Sequence, residues 1–406
     1  MVQEPCTRRV IGLAMASTGH AIKAALVEVA GQALDLSLRV CHSQVFPCPT
    51  DIRQFFHDAR QQMLATQRVA IVHRAIGQAL ADAACQIADQ ASQSLYDLFC
   101  IGCLQPYLDA ETEDGTQCHL ALGDPGLIAE QTGTAVVADL IVHDPHGGYM
   151  PVLALWPLFH AAEGPTLLLH LGTAFQAVYI PPEPGPDALG AVTSPGMALV
   201  DALVRTLSGG REECDAGGRF AVQGRYVPDV AEQIRSYAVS STRMAGLALS
   251  AAAERLAKHL TAQTQLHAWQ AHDLLCTATH CAVERFADKL RELLAGRQPP
   301  ARVVLSGGGM RNGFVLRLLQ NRLRDCLDGP WMPCTALGVG TDVLRSVCAG
   351  ILAVLFLDGV PAHLHPQPGC RFPRLLGCIW PGSPQQWVRC LAWMNGDLEA
   401  LEALDE

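Results

Sequence analysis

Val303-Val304-Leu305-Ser306-Gly307-Gly308-Gly309-Met310-Arg311-Asn312-Gly313 runs from an apolar strand pattern through three glycines into a helical pattern. Glycines at such a junction let backbone N–H groups approach a ligand with no Cβ in the way. The helix N-terminus adds donors and a dipole that favours an anion. The spacing predicts a strand over 302–305 and a helix over 312–326. A tight strand-to-helix turn without a ligand has the same pattern, so both readings stand on the motif alone. The G-K-[ST] ending of a Walker loop is absent, and the spacing is not that of a Rossmann glycine fingerprint.

Outward from this junction, strand and helix patterns alternate in both directions. Residues 9–15, 22–29 and 34–46 read as a three-strand meander separated by short turns. Residues 51–65 and 68–92 read as helices, and 96–103 and 135–140 as buried strands. The second half opens on strands at 166–170 and 175–180 and continues with helices at 196–207, 230–259, 268–295 and 342–357. Each half starts with hairpin-connected strands and goes on with alternating helices and strands, which is α/β with a mixed sheet. A Gly/Pro-rich crossing at 145–151 divides the halves, giving lobes over 1–150 and 151–406.

The 406 residues are half apolar, 17% charged, and carry a net charge of −10. That composition excludes a disordered chain and argues against a general nucleic-acid binder, which needs clustered Lys and Arg. No apolar run reaches the roughly 18–20 residues of a membrane span. Met1 to Arg9 has no secretory pattern, which predicts a cytoplasmic protein. Sixteen cysteines there read as reduced, mostly buried thiols. Cys100 and Cys103 form a lone C-x-x-C, and Cys276 and Cys281 bracket His280. Neither presents the two close pairs of a zinc site, so no metal site is expected. In His143-Asp144-Pro145-His146 the proline breaks helical spacing, and a surface loop is the better reading.

With these motifs in order, the sequence resembles the anhydro-N-acetylmuramic acid kinases of the sugar-kinase, chaperone and actin superfamily. Arg9-Val10-Ile11-Gly12 is similar to the family's first strand, and Ile101-Gly102-Cys103 to the strand before its C-H-G-Q-T. Leu122-Gly123-Asp124 and the run Gln131 to Asp139 resemble its I-G-D and R-T-G-I-T-V-V-x-D-F. Leu158-Phe159-His160, Pro195-Gly196 with Asp201-Ala202, Gly307-Gly308-Gly309-x-Arg-Asn and Gly359-Val360-Pro361 follow in the family's order. The resemblance implies a two-lobed actin-like (ribonuclease H-like) sugar-kinase fold, with mixed sheets flanked by helices. It implies ATP and Mg²⁺ as cofactors, a nucleotide and an anhydro amino sugar in the cleft, and a homodimer active in cell-wall sugar recycling. On that basis Ser17, Thr18, Gly19, Lys23, Gly172, Thr173, Gly307, Gly308, Gly309 and Asn312 are the nucleotide-site candidates, and Asp139 and Asp144 the sugar-site candidates.

The departures from the family pattern fall on the chemistry. Its first phosphate loop, G-T-S-L-D-G-V-D, reads Ala16 to Lys23 here, so His20 and Lys23 replace both carboxylates. Its base, the Asp of D-T-G-P-G-N, is Val192, and Met197 replaces the Asn. The arginines of D-F-R-R-R-D are gone between Asp139 and Asp144, and the Glu opening the last helix is Arg345. The second phosphate turn keeps one glycine, Gly172, followed by Thr173. A general base contributes about 10²–10⁴-fold, and valine accepts no proton. Asp139 and Asp144 remain as candidate acids; Asp139 is equally an acid capping a turn. Asp201 reads as a first-turn helix acid stabilised by the dipole. Three functions compete: a catalytically impaired homologue that still binds nucleotide, sugar or a partner; an active kinase on a changed sugar with Asp139 or Asp144 as base; and a regulatory dimer with an empty cleft, its long helices packed between subunits. The first accounts for several losses at once.

Overall fold

The computed structural model describes residues 7–15, 19–59, 64–111, 117–140, 151–183, 189–238, 246–361 and 374–397. The N-terminal meander is β1 (Thr7–Met15), β2 (Ala21–Gln32) and β3 (Asp35–Pro47), followed by α1 (Thr50–Ala59) and α2 (Thr66–Gln90). Next come β4 (Cys100–Leu104), a small hairpin of β5 (Tyr107–Glu111) and β6 (Gln117–Ala121), α3 (Pro125–Thr132), β7 (Val136–Ala138) and α4 (Val152–Phe159). A second meander, β8 (Thr166–Leu171), β9 (Ala174–Ile180) and β10 (Gly190–Pro195), leads into α5 (Ala198–Ser208), α6 (Pro228–Ala238), α7 (Gly246–His267) and α8 (Ala271–Leu294). The chain finishes with β11 (Arg302–Ser306), α9 (Gly313–Leu323), β12 (Trp331–Pro333), α10 (Leu344–Leu357), β13 (Cys378–Trp380) and α11 (Pro384–Asn395).

The two large sheets repeat one topology. The first has the order β13-β7-β4-β1-β2-β3 and the second β10-β9-β8-β11-β12. In each, an antiparallel meander is extended on its first strand by two parallel strands: β4 and β7 beside β1, β11 and β12 beside β8. This doubled arrangement is the expected mixed-sheet, actin-like architecture. The last strand and helix return to the first sheet, where the division into 1–150 and 151–406 had not put them: β13 pairs antiparallel with β7. It covers an edge that β7 would otherwise leave open.

Strand alternation sorts the core into layers. In β1, Ile11, Leu13 and Met15 join α1 and α2 on the outer face of the first sheet, through Phe55, Phe56, Ile76 and Leu80. Val10 and Ala14 point the other way, into a cluster shared with Leu168, Val178 and Val304 of the second sheet and with α4 and α10. Leu167, Leu169, Val303 and Leu305 face the outer helices α5, α7, α8 and α9. Helices and sheets therefore alternate in five layers, with α4 and α10 between the sheets. Full burial of each Leu, Ile or Phe contributes about 1.5–3 kcal/mol. Glycine lets α10 lie close: a Cβ on Gly12 would strike the Ser346 carbonyl, and one on Gly102 the Ala349 carbonyl.

Of the expected helix over 230–259, the structure describes α6 and α7, and 239–245 lie outside the described residues. The β5–β6 hairpin, α3, α4, β10, β12 and the returning β13–α11 pair were not anticipated. Most are short, and a three-residue strand has too little periodicity to read.

Candidate active site

The glycines of the opening motif are not equivalent. Gly307 has φ 83° and ψ 163°, a conformation essentially confined to glycine. A Cβ there would lie 2.5 Å from the Leu171 carbonyl oxygen and 3.0 Å from the His170 ring. A Cβ on Gly309 would meet the same carbonyl at 2.8 Å, whereas one on Gly308 would meet nothing within 4 Å. The β11 turn thus packs on the β8–β9 turn, leaving Gly308 facing open space. Asn312 caps α9, accepting from the Phe314 and Val315 N–H groups at 3.1 Å, and its amide donates to the Asp215 carbonyl. Its side chain is therefore engaged in holding the helix start.

The Gly172-Thr173 turn docks in turn on the start of α5. The Thr173 carbonyl accepts from Gly196 and Ala198, and the Gly172 carbonyl accepts from Met197. Gly196 sits in this junction because a Cβ would strike the Gly172 carbonyl oxygen at 2.6 Å. Beneath both turns lies His170. Its Nδ1 is 3.0 Å from Ser306 Oγ, and Cβ atoms on Gly172 and Gly307 would fall 3.1 and 3.0 Å from its ring. Burial, and then the positive charges of Arg345 and Lys23, push this imidazole down to about 3, so it is neutral at physiological pH.

Four elements from different parts of the chain thus meet around the His170 ring: Lys23 from β2, His170 and Ser306 from β8 and β11, and Arg345 from the first turn of α10. A pocket of about 230 Å³ bridges the two halves, lined by His20, Thr173, Asp201, Arg205, Glu213, Cys214 and Ser250 along with Ala198. Asp201 is the functional candidate that sequence reasoning undervalued. Burial pushes its carboxyl up to about 7 against the pull of Arg205, with Asp215 and Glu213 adding repulsion. Its place after Pro195-Gly196 was the only signal in the sequence. A second cavity, of about 420 Å³, lies among α5, α6, α7 and α8 and shares only Ala198 with the first.

The remaining candidates separate. Asp139 ends β7 with φ 57°, and its N–H donates to Gln105 Oε1, while Gln105 Nε2 donates to the Gly123 carbonyl. Gln105, which the sequence did not single out, therefore fixes the Asp139 backbone. Asp124 caps α3 through the Gly126 and Leu127 N–H groups. Val192 packs its side chain against the apolar cluster beneath α5 and α8. Ser17, Thr18, Asp144, His143 and His146 lie outside the described residues. Cys100, Cys103, Cys276 and Cys281 are free thiols. Among the described residues no three His, Cys, Asp or Glu side chains gather as metal ligands, and no helix is long and apolar enough to cross a membrane.

A family model described as anhydro-N-acetylmuramic acid kinase matches residues 8–382, from the first strand of one sheet to just past the strand that closes it. The chain belongs to the anhydro-N-acetylmuramic acid kinase family. An anhydro-N-acetylmuramic acid kinase of Streptomyces coelicolor is 29% identical over 380 residues, covering 92% of this chain and 94% of the relative. One from Cyanothece is 26% identical over 381 residues, covering 91% and 98%. Among solved structures, a gluconate kinase from Lactobacillus acidophilus is similar over 98% of both chains, with a TM-score of 0.42 and 10% identity.

Membership implies ATP with Mg²⁺, and the residues fit the two parts differently. Of the glycines in the β11 turn, Gly308 faces open space, which leaves the backbone there open to a phosphate. A divalent cation calls for oxygen ligands. The positions where the resemblance expects carboxylates hold His20, Lys23 and Arg345.

Proposed function

We propose that this member of the family is impaired in ring-opening phosphoryl transfer and retains its cleft as a binding site for a nucleotide and a sugar. One observation carries the proposal: at position 192, where the resemblance puts the base, an isopropyl group packs among apolar side chains. No carboxylate is available there to deprotonate water, and loss of a positioned base costs about 10²–10⁴-fold. The replacements at His20, Lys23 and Arg345 support the same conclusion, since none of these side chains supplies the carboxylate oxygens that would organise a metal. The chain divides into its two lobes near residue 150, with β13 and α11 returning to the first. A cytoplasmic homodimer linked to cell-wall sugar recycling belongs to this proposal, and light scattering on the purified protein tests its assembly.

The activity test is release of ADP from ATP–Mg²⁺ with anhydro-N-acetylmuramic acid as acceptor. The expected result is no turnover above an acceptor-free control. Turnover in the ordinary kinase range of about 1–100 s⁻¹ would overturn the proposal. If that turnover vanished in Asp139→Asn, the base would be Asp139 and the chain an active kinase with rebuilt chemistry.

A further inference from the structure

We propose that the cleft floor binds a phosphate-bearing anion free of divalent metal, with Lys23 and Arg345 supplying the positive charge directly. The inference deepens the cleft function proposed above and adds a ligand class: a free nucleoside polyphosphate or pyrophosphate rather than its magnesium complex.

Side-chain direction carries the argument. Lys23 is the cross-strand partner of Ala14, and partners share a face of the sheet. Ala14 belongs to the cluster between the two sheets, as do Ala25 and Val27 further along β2. Lys23 therefore projects from the first sheet into the space between the lobes. On the opposite sheet, Leu168 and Val304 belong to that same cluster. Two residues on, His170 and Ser306 share their face and form the pair beneath the glycine turns. Arg345 enters from α10, the helix between the sheets, and is buried. Its charge and that of Lys23 both reach the His170 ring. That ring touches the places that Cβ atoms on Gly172 and Gly307 would take.

A phosphate seated in the turns thus meets two cations across a neutral histidine. Hydrogen bonds between cations and phosphate oxygens are roughly twice as strong as neutral ones. A bound Mg²⁺ would add a like charge beside Lys23 and Arg345. Asp201 lines the bridging pocket together with Thr173. Burial, with Asp215 and Glu213 adding repulsion, raises its proton affinity against the pull of Arg205 and so disfavours the ionised form that a metal would need.

The test is calorimetric titration of ATP and of pyrophosphate into the purified protein, once with EDTA and once with Mg²⁺. Binding is expected in EDTA, with affinity equal to or tighter than with Mg²⁺. Lys23→Glu should weaken it at least tenfold and Lys23→Arg should preserve it, with thermal melts confirming that both variants fold. Binding at least tenfold tighter with Mg²⁺ would overturn the inference, and its loss in Asp201→Asn would name the metal's ligand. Unchanged affinity in Lys23→Glu, or no binding under either condition, would overturn it as well. These outcomes leave the absence of turnover to be judged separately by the acceptor assay.

Discussion

Gly307→Ala and Gly308→Ala change neighbouring residues of one motif in the same way, and the structure separates them widely. Holding alanine in the Gly307 conformation costs about 1–3 kcal/mol. Its methyl would also press on the Leu171 carbonyl oxygen at 2.5 Å, and overpacking of this kind adds about 1–3 kcal/mol. The expected loss is about 2–6 kcal/mol. Unfolding entropy near 2.1 cal/mol/K per residue, taken over 406 residues, is about 0.85 kcal/mol per kelvin. Tm should therefore fall by about 2–7 °C in Gly307→Ala. Gly308→Ala should melt within about 1 °C of the parent, since nothing lies within 4 Å of its added carbon and removing chain freedom from the unfolded state is mildly stabilising. Differential scanning fluorimetry at fixed protein concentration reads both, and pyrophosphate titration reads the turn. Relaxation of the β11 turn away from Leu171 should weaken pyrophosphate about tenfold or more in Gly307→Ala. Equal Tm values for the two variants would refute the packing of this turn on the β8–β9 turn, and with it the construction of the site.

Further outcomes follow from other residues. Asp358→Ala leaves the buried Arg8 guanidinium without its 2.5 Å partner and removes the acceptor of Trp393 Nε1 and the Ala33 N–H; a loss of about 3–5 kcal/mol is expected in urea unfolding, and a loss under 1 kcal/mol would mean the clasp carries little. Burial holds the Asp201 carboxyl up near 7, so its folding contribution is fully present below about pH 4 and fades as pH rises through about 7. Asp201→Asn should therefore gain Tm relative to the parent between pH 4 and 8, and a pH-independent difference would contradict the burial. His170 is displaced in the other direction: its stabilising neutral form is favoured above about 6.5 and the contribution is lost as pH falls towards about 3. His170→Asn should flatten that part of the parent's Tm–pH curve; an unchanged slope would place His170 in water.

Much of the fold was legible in linear patterns. The alternation in 9–15 is the reason β1 divides two cores, and the run into Gly307 announced a strand, a turn and a helix in the right order. Collinear motifs were enough to place the chain in its family. The departures that the resemblance suggests at His20, Lys23, Arg345 and Val192 concern residue identity, and that too is visible in one dimension. Register, facing and burial are not. Sequence gave Asp124 and Asp201 the same standing, but Asp124 spends its oxygens on a helix cap while Asp201 lines the bridging pocket with a raised proton affinity. Three consecutive glycines look alike until Leu171 arrives beside two of them. His170 and Ser306 are 136 residues apart, and only parallel pairing of β8 with β11 sets their side chains together. Local sequence determines which backbone conformations are cheap, because sterics and alternation act within a few residues. Which charges share a low-dielectric space depends on strands meeting across the whole chain, so the tertiary structure alone decided that the charges of Lys23 and Arg345 both act on the buried His170 ring.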